Sequence, residues 1–367
     1  MKTIKQEIMK TSIYKSLALL AILTIGTSTL PAQEVSKEFH KEYNAQRGNT
    51  LELNNRYGNI IVTTSDDNKI VINVLVTLSY PDQERAERLI SYIDVEFSEY
   101  SGNYIAKTVI DNDFNFSGWG RTNKKFDIKY TVSAPSWLDI SVINKYGDVE
   151  IGQLDGRFVA NIQYGNLTAF GLSRGNVKPV NNISISYGKA EITNAGWLDF
   201  TARYASDIYI DQVQAVAFDT KYSKISVNNV SSVVIDSRYD KYNFGNINNL
   251  VISGGYSDFD IASITKKLDI ESKYGSFNAK SVSPGFEQID INTSYMGVSL
   301  RIDDKASYEL EAKVSYGKVE FNEALFDRQK QIINNTSMEL KGIVNPVSSG
   351  QNGRVFIDSS YGNVKLN

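Results

Sequence analysis

Twelve tyrosines recur in one local setting, x-Tyr-Gly-x-apolar-x-apolar in clean or degraded form, at Tyr57, Tyr146, Tyr164, Tyr187, Tyr204, Tyr222, Tyr239, Tyr256, Tyr274, Tyr295, Tyr316 and Tyr361. Two chemistries are open to such a column. Exposed rings would stack sugars or bases, whereas buried rings would stack on one another inside a fold. The tyrosines share the parity of the apolar positions before them. The residue two before is usually small (Ser237, Gly254, Ser272, Thr293, Ser359), which leaves room for a ring. We therefore expect Tyr146, Tyr164, Tyr187, Tyr204, Tyr222, Tyr239, Tyr256, Tyr274, Tyr295 and Tyr316 to form a structural corner ladder with largely buried rings.

Charged columns accompany the tyrosines. Arg56, Lys145, Arg203, Lys221, Arg238 and Lys273 stand one residue before, and Asp219, Asp236, Glu271 and Asp358 three before. These positions point outward from the same strands, so Arg203, Lys221, Arg238 and Lys273 form the candidate surface-binding row. They could line a groove for an anionic glycan, or a lyase site. The acidic row beside them cancels much of the field that an anionic polymer needs, which favours mutually compensating ion pairs at a solvated face.

No catalytic residue emerges. His40 is the only histidine and there is no cysteine, which excludes multi-histidine and cysteine-ligated metals, thiol catalysis, disulfides and conventional Ser/His triads. Asp111, Asp113 and Asn115 begin like a calcium loop, but Phe116 takes its glycine position and Thr122 its closing glutamate. We expect no cofactor and no metal.

The elements that must hold these columns follow from periodicity. Six residues before the tyrosines stand Leu51, Ile140, Phe158, Leu198, Val216, Val233, Leu250, Leu268, Ile289, Leu310 and Val355, and four before stand residues such as Leu53, Val142, Phe200 and Ile235. Period two marks a strand with one buried face. After each tyrosine the apolar residues fall three and five positions on, as in Val149 and Ile151 or Ile225 and Val227. Such a parity switch requires a bend, and the glycine after the tyrosine is the expected corner, taking positive φ at little cost. Spacings between successive tyrosines from Tyr146 to Tyr316 run 18, 23, 17, 18, 17, 17, 18, 21 and 21 residues. A single such unit cannot bury its apolar face, so units must stack.

The expected architecture is all-β: a single-stranded parallel β-helix, or β-solenoid, over 140–367 with an insert at 322–354. Residues 33–139 supply the first coil plus an N-terminal β-rich capping subdomain. Its strands are expected at Ile70 to Leu78, Tyr104 to Ile110 and Phe126 to Val132, with one short helix from Asp82 to Ile93. Residues 1–32 read as a signal peptide: Lys2, Lys5, Lys10 and Lys15, an apolar run from Leu17 to Gly26, then Pro31 and Ala32. No later run reaches a membrane-spanning length. Removing the signal takes away four lysines and one glutamate, net +3, and moves the formal charge from −3 to −6, giving no electrostatic reason to expect nucleic acid.

The segments Leu51-Glu-Leu-Asn-Asn-Arg-Tyr-Gly-Asn-Ile-Ile-Val62, Tyr130-Thr-Val-Ser-Ala-Pro135 and Leu138-Asp-Ile-Ser-Val-Ile-Asn-Lys-Tyr-Gly-Asp-Val-Glu-Ile151, with the Ser-Tyr-Gly units after them, carry a resemblance. The chain resembles the bacterial putative adhesin family, exported β-strand repeat proteins found in Bacteroidota and other envelopes. The resemblance implies a right-handed β-solenoid without catalytic residues, residing in the periplasm, on the outer surface or outside the cell. It implies a role in adhesion or envelope stress, with a protein or glycan of the envelope as partner. A polysaccharide-acting β-helix enzyme and an accessory factor in envelope-stress sensing are the alternatives.

Overall fold

The computed structural model describes residues 33–116, 124–346 and 353–366; the expected signal peptide lies outside the described residues. Among the described residues the chain is nearly all β, with one α-helix and one connected sheet that does not close into a barrel. Among the described residues no helix is long and apolar enough to cross a membrane.

Extended chain runs on both sides of each tyrosine, and through the middle units the sequence offset between tyrosines is also the ladder offset. Leu198 pairs with Val216, Val216 with Val233, and Val233 with Leu250, all in parallel register. Beyond the tyrosines the same holds, with Ile208 opposite Ile225 and Ile225 opposite Tyr242. Each apolar column therefore becomes a continuous row in the core. Leu51, Ile140, Phe158, Leu250 and Val355 are all buried. Asn181 occupies the same column before Tyr187 and is also fully buried. Its Oδ1 accepts from Phe158 N at 2.9 Å, and its Nδ2 donates to Trp197 O at 3.3 Å.

At the N-terminal end, Thr50–Arg56 and Ile60–Ser65 stack directly on Asp139–Lys145 and Val149–Leu154, although some eighty residues separate them in sequence. The intervening chain lies on their other side. Asn103–Ile110 pairs parallel with Thr50–Arg56, and Lys125–Pro135 pairs parallel with Ile60–Ser65. Further out the pairing turns antiparallel: Lys69–Tyr80 lies between Lys125–Pro135 and Gln33–Asn44, and Ile93–Tyr100 lies beside Asn103–Ile110. The helix runs Gln83–Ser91, shorter than its expected bounds. Asp82 caps it by accepting from Arg85 N, and Ala86, Leu89 and Ile90 are its buried residues. Ile93 falls instead in the next strand.

The C-terminal end departs from simple chain order. Gly353–Ser360 inserts between Gln288–Ile302 and Tyr308–Ser315, pairing parallel with both, and Val364–Leu366 does the same between their continuations. Ser337–Val344 then runs antiparallel to Tyr308–Ser315, followed by Phe326–Ile333.

Candidate functional site

The tyrosines themselves are the corners. All twelve take positive φ, between 52° and 68°, whereas among the glycines that follow them only Gly275 does (φ 113°). The expected glycine hinge is thus displaced by one residue. A left-handed residue between two strands breaks the alternation, throwing its own side chain outward and turning the next residue inward. Ala205, Ser223, Asp240, Ser257 and Met296, each following a tyrosine, are accordingly buried. Where that residue is glycine the reason is space: a Cβ on Gly147 would run into Gly58 O, and one on Gly165 into Gly147 O.

The expectation of buried rings is therefore corrected. Tyr146, Tyr164, Tyr187, Tyr204, Tyr222, Tyr239, Tyr256, Tyr274, Tyr295, Tyr316 and Tyr361 are exposed, from 39% at Tyr274 to 59% at Tyr316. Where the residue two before a corner is small, as at Thr220 and Ser237, it makes room for the inward-turned neighbour, since the ring leaves the core.

Outside, the rings form one stack in the order 57, 146, 164, 187, 204, 222, 239, 256, 274, 295, 361, 316. Adjacent centroids lie 4.6–5.3 Å apart, with planes inclined by 0–19°. A left-handed conformation costs about 1–2 kcal/mol for an L-residue. Each inner ring makes two stacking contacts worth about 0.5–1.5 kcal/mol apiece. Most of the corners also donate the backbone N–H to the neighbouring unit, as from Tyr204 N to Lys221 O at 3.0 Å. Together these offset the strain. Because neighbours cover one another's faces, ring edges and phenol hydroxyls meet solvent. The hydroxyls from Tyr146 to Tyr361 in this stack hold no hydrogen-bond partner among the described residues. The surface is a comb of donors and acceptors repeating about every 5 Å, the spacing of the strands themselves.

Basic side chains line one flank. Arg56 lies over Tyr57 (4.7 Å to the centroid), Lys145 over Tyr146 (5.1 Å) and Lys221 over Tyr222 (5.4 Å). Of the candidate row, Arg203 reaches Asp219 of the next unit at 2.7 Å. Arg238 and Lys273 are exposed and make no ion pair among the described residues, so the row is compensated at one position only.

Inside the middle corners lies a polar group that the sequence did not flag. The buried Asp240 carboxyl accepts from Thr220 Oγ1 (2.7 Å), Ser223 N (2.7 Å), Ser237 Oγ (2.8 Å) and Arg238 N (2.9 Å). Thr220 Oγ1 accepts in turn from the Tyr242 hydroxyl at 2.5 Å. Burial pushes the Tyr242 phenol far above its ordinary range. Every donor here already has a partner, so the group reads as corner filling. Among the described residues no group of three or more His, Cys, Asp or Glu side chains is placed to hold a metal. His40 is exposed, 2.7 Å from Asn73 Oδ1.

No family model matches the chain, and no curated protein does. Among solved structures it is similar to a putative cell adhesion protein from Clostridium sporogenes, at 9% identity over 91% of this chain and 99% of that one, with a TM-score of 0.21. It is similar also to putative adhesins from Bacteroides fragilis (16% identity, 73% of this chain, 97% of that one, TM-score 0.32) and Parabacteroides merdae (11%, 74%, 94%, 0.21). At these scores the functional reading rests on the chain's own geometry.

Proposed function

We propose that the chain is an exported, right-handed, single-stranded parallel β-helix that acts without catalysis, presenting an adhesin-like surface to a protein or glycan of the cell envelope. Residues 33–139 hold the first coil and a capping subdomain, and 140–367 the remaining coils with the insert at 322–354. The antiparallel strands at either end cover edges that would otherwise template association with other chains. One observation carries the reading: from Tyr146 onward the stacked tyrosines are exposed without a break and, among the described residues, their hydroxyls hold no hydrogen-bond partner, at a near-constant repeat. A partner that is itself periodic, or extended, can engage many such groups at once, each contributing weakly.

The test removes hydroxyls while keeping rings. A variant carrying Tyr222→Phe, Tyr239→Phe and Tyr256→Phe is compared with the unaltered chain on a glycan array and against fractionated native envelope. The expected result is the same melting temperature with binding weakened roughly tenfold or more, about 0.5 kcal/mol per hydroxyl lost. Ligands held equally by both chains would remove the tyrosine stack as the binding surface.

A further inference from the structure

A second site lies away from the tyrosine stack, where the spacing between tyrosines stretches to 23 residues, from Tyr164 to Tyr187. The longer connection, residues 173–180, joins Leu167–Leu172 to Asn181–Ser186, and its Lys178, Pro179 and Val180 stand over the outer face of the following units. Insertions in stacked-unit proteins fall on one face, often the binding face. This one is held as a wall. Arg174 Nε donates to Val177 O (3.2 Å) and Pro179 O (3.0 Å), and Arg157 Nε to Val180 O (3.0 Å).

Beneath the wall is a cleft of about 460 Å³, within the range of small-molecule sites. Its floor is apolar: Ala215, Ala217 and Val234 lie on outward strand positions that elsewhere carry charge. In the column five before the tyrosines, Ala217 and Val234 stand where Asp269, Asp290 and Glu311 stand in later units. Val234 is 54% exposed, an apolar side chain left open to water. The rim is cationic on balance, with Arg157 and Lys178 against Asp199; Lys178 is exposed and has no ion-pair partner among the described residues. Trp197, in the same lining, brings an unsatisfied donor: its Nε1–H is buried and lacks a hydrogen-bond partner among the described residues, whereas buried indole N–H groups ordinarily find one.

We infer that this cleft binds a small anionic amphiphile, an apolar group of about two fused rings' bulk or an equivalent acyl segment, bearing one negatively charged head. The apolar part covers Ala215, Ala217 and Val234. The head lies toward Lys178 and Arg157, and the ligand parts the wall from the indole enough to give Trp197 Nε1–H an acceptor. The volume is too small for a polymer, and the basic rim selects against a cationic head.

Two dyes of matched shape test it on the full chain: 8-anilinonaphthalene-1-sulfonate, which is anionic, and the neutral N-phenyl-1-naphthylamine. Each is expected to saturate one site per chain, with the sulfonate bound more tightly. Ala217→Trp fills the floor and abolishes both. Val234→Glu, at a side chain already facing solvent, weakens the sulfonate strongly and guards against a folding defect in the first variant. Lys178→Gln weakens the sulfonate roughly two- to fivefold and leaves the neutral dye unchanged. Trp197→Phe removes the N–H while keeping an aromatic side chain, and has the same selective effect on the sulfonate. Dye binding that survives both Ala217→Trp and Val234→Glu, absence of saturation with either dye, or equal weakening of both dyes by Lys178→Gln would each overturn the assignment.

Discussion

The first four corners and the next four hold their tyrosines in the same conformation yet fill their interiors in opposite ways. Tyr57, Tyr146, Tyr164 and Tyr187 are followed by Gly58, Gly147, Gly165 and Gly188, whose missing side chains let successive backbones nest. Tyr204, Tyr222, Tyr239 and Tyr256 are followed by Ala205, Ser223, Asp240 and Ser257, all buried. The residue two before each tyrosine shares that inner volume. At the first two corners it is Asn55 or Asn144, whose Nδ2 donates to the glycine carbonyls, as from Asn144 Nδ2 to Gly147 O at 2.9 Å. Around Asp240 it is Thr220 or Ser237, shorter side chains that donate to the carboxyl. The linkage fades by Ser272, whose buried hydroxyl has no partner among the described residues. What the two regions have in common is the left-handed tyrosine and its stacked ring. The outer comb is thus constant while the inner corner varies, so glycine there answers to crowding and not to φ.

Five substitutions would break or sharpen that contrast. The largest effect is expected from Asp240→Ala, which strands the Thr220 and Ser237 hydroxyls and the Ser223 and Arg238 amides inside the corner. With unsatisfied buried groups costing about 1–3 kcal/mol each before relaxation, a net loss of about 3–5 kcal/mol is expected in urea unfolding. Next comes Gly165→Ala, whose new methyl group meets Gly147 O. We expect about 2–3 kcal/mol, as for other overpacked sites, and a smaller effect from the mirror change Ala205→Gly. A loss at Gly165→Ala below about 0.5 kcal/mol would mean that the nested corners have slack, and the two regions would cease to differ.

The smallest effects are expected on the outer surface, first at the ring and then at the basic residue beside it. Tyr239→Ala forfeits stacking on Tyr222 and Tyr256 but exposes no core. It should cost about 1–2 kcal/mol by thermal and urea melts. Arg238→Ala, at an exposed side chain, should cost less than about 1 kcal/mol. Were Tyr239→Ala to cost as much as a core aromatic, about 3–5 kcal/mol, the ring would be acting as part of the interior in spite of its 47% exposure.

The core rows were legible in the sequence because a strand with one wet face advertises itself at period two. Leu198, Val216, Val233 and Leu250 lie where their spacing placed them. The existence of a bend was legible too, from the parity switch. Its location was not: a parity switch fixes a corner only to within a residue or two, and intrinsic preference points to glycine over tyrosine for positive φ. Only the stacking of twelve copies makes the less favourable choice hold, and that is a property of neighbours, invisible in one unit. Asn181 was missed because a polar residue in an apolar column looks like a gap. The walled cleft left a single trace, the spacing of 23 residues, since its floor comes from separate units whose alanines and valine are unexceptional one at a time.

The interleaved end has a bearing on how the chain reaches its final arrangement. Tyr361 is sandwiched between Tyr295 and Tyr316, so the strand pair 353–366 is made after both of its neighbours yet belongs between them. During synthesis Gln288–Ile302 and Tyr308–Ser315 emerge first, with matching apolar rows: Ile289 and Ile291 on one, Leu310 and Ala312 on the other. Those two edges can zip together directly, closing a short loop at low entropic cost. The shortcut must then open before 353–366 can enter. This interleaved layer is therefore expected to fold more slowly than the middle units, whose contacts form in the order in which they are translated.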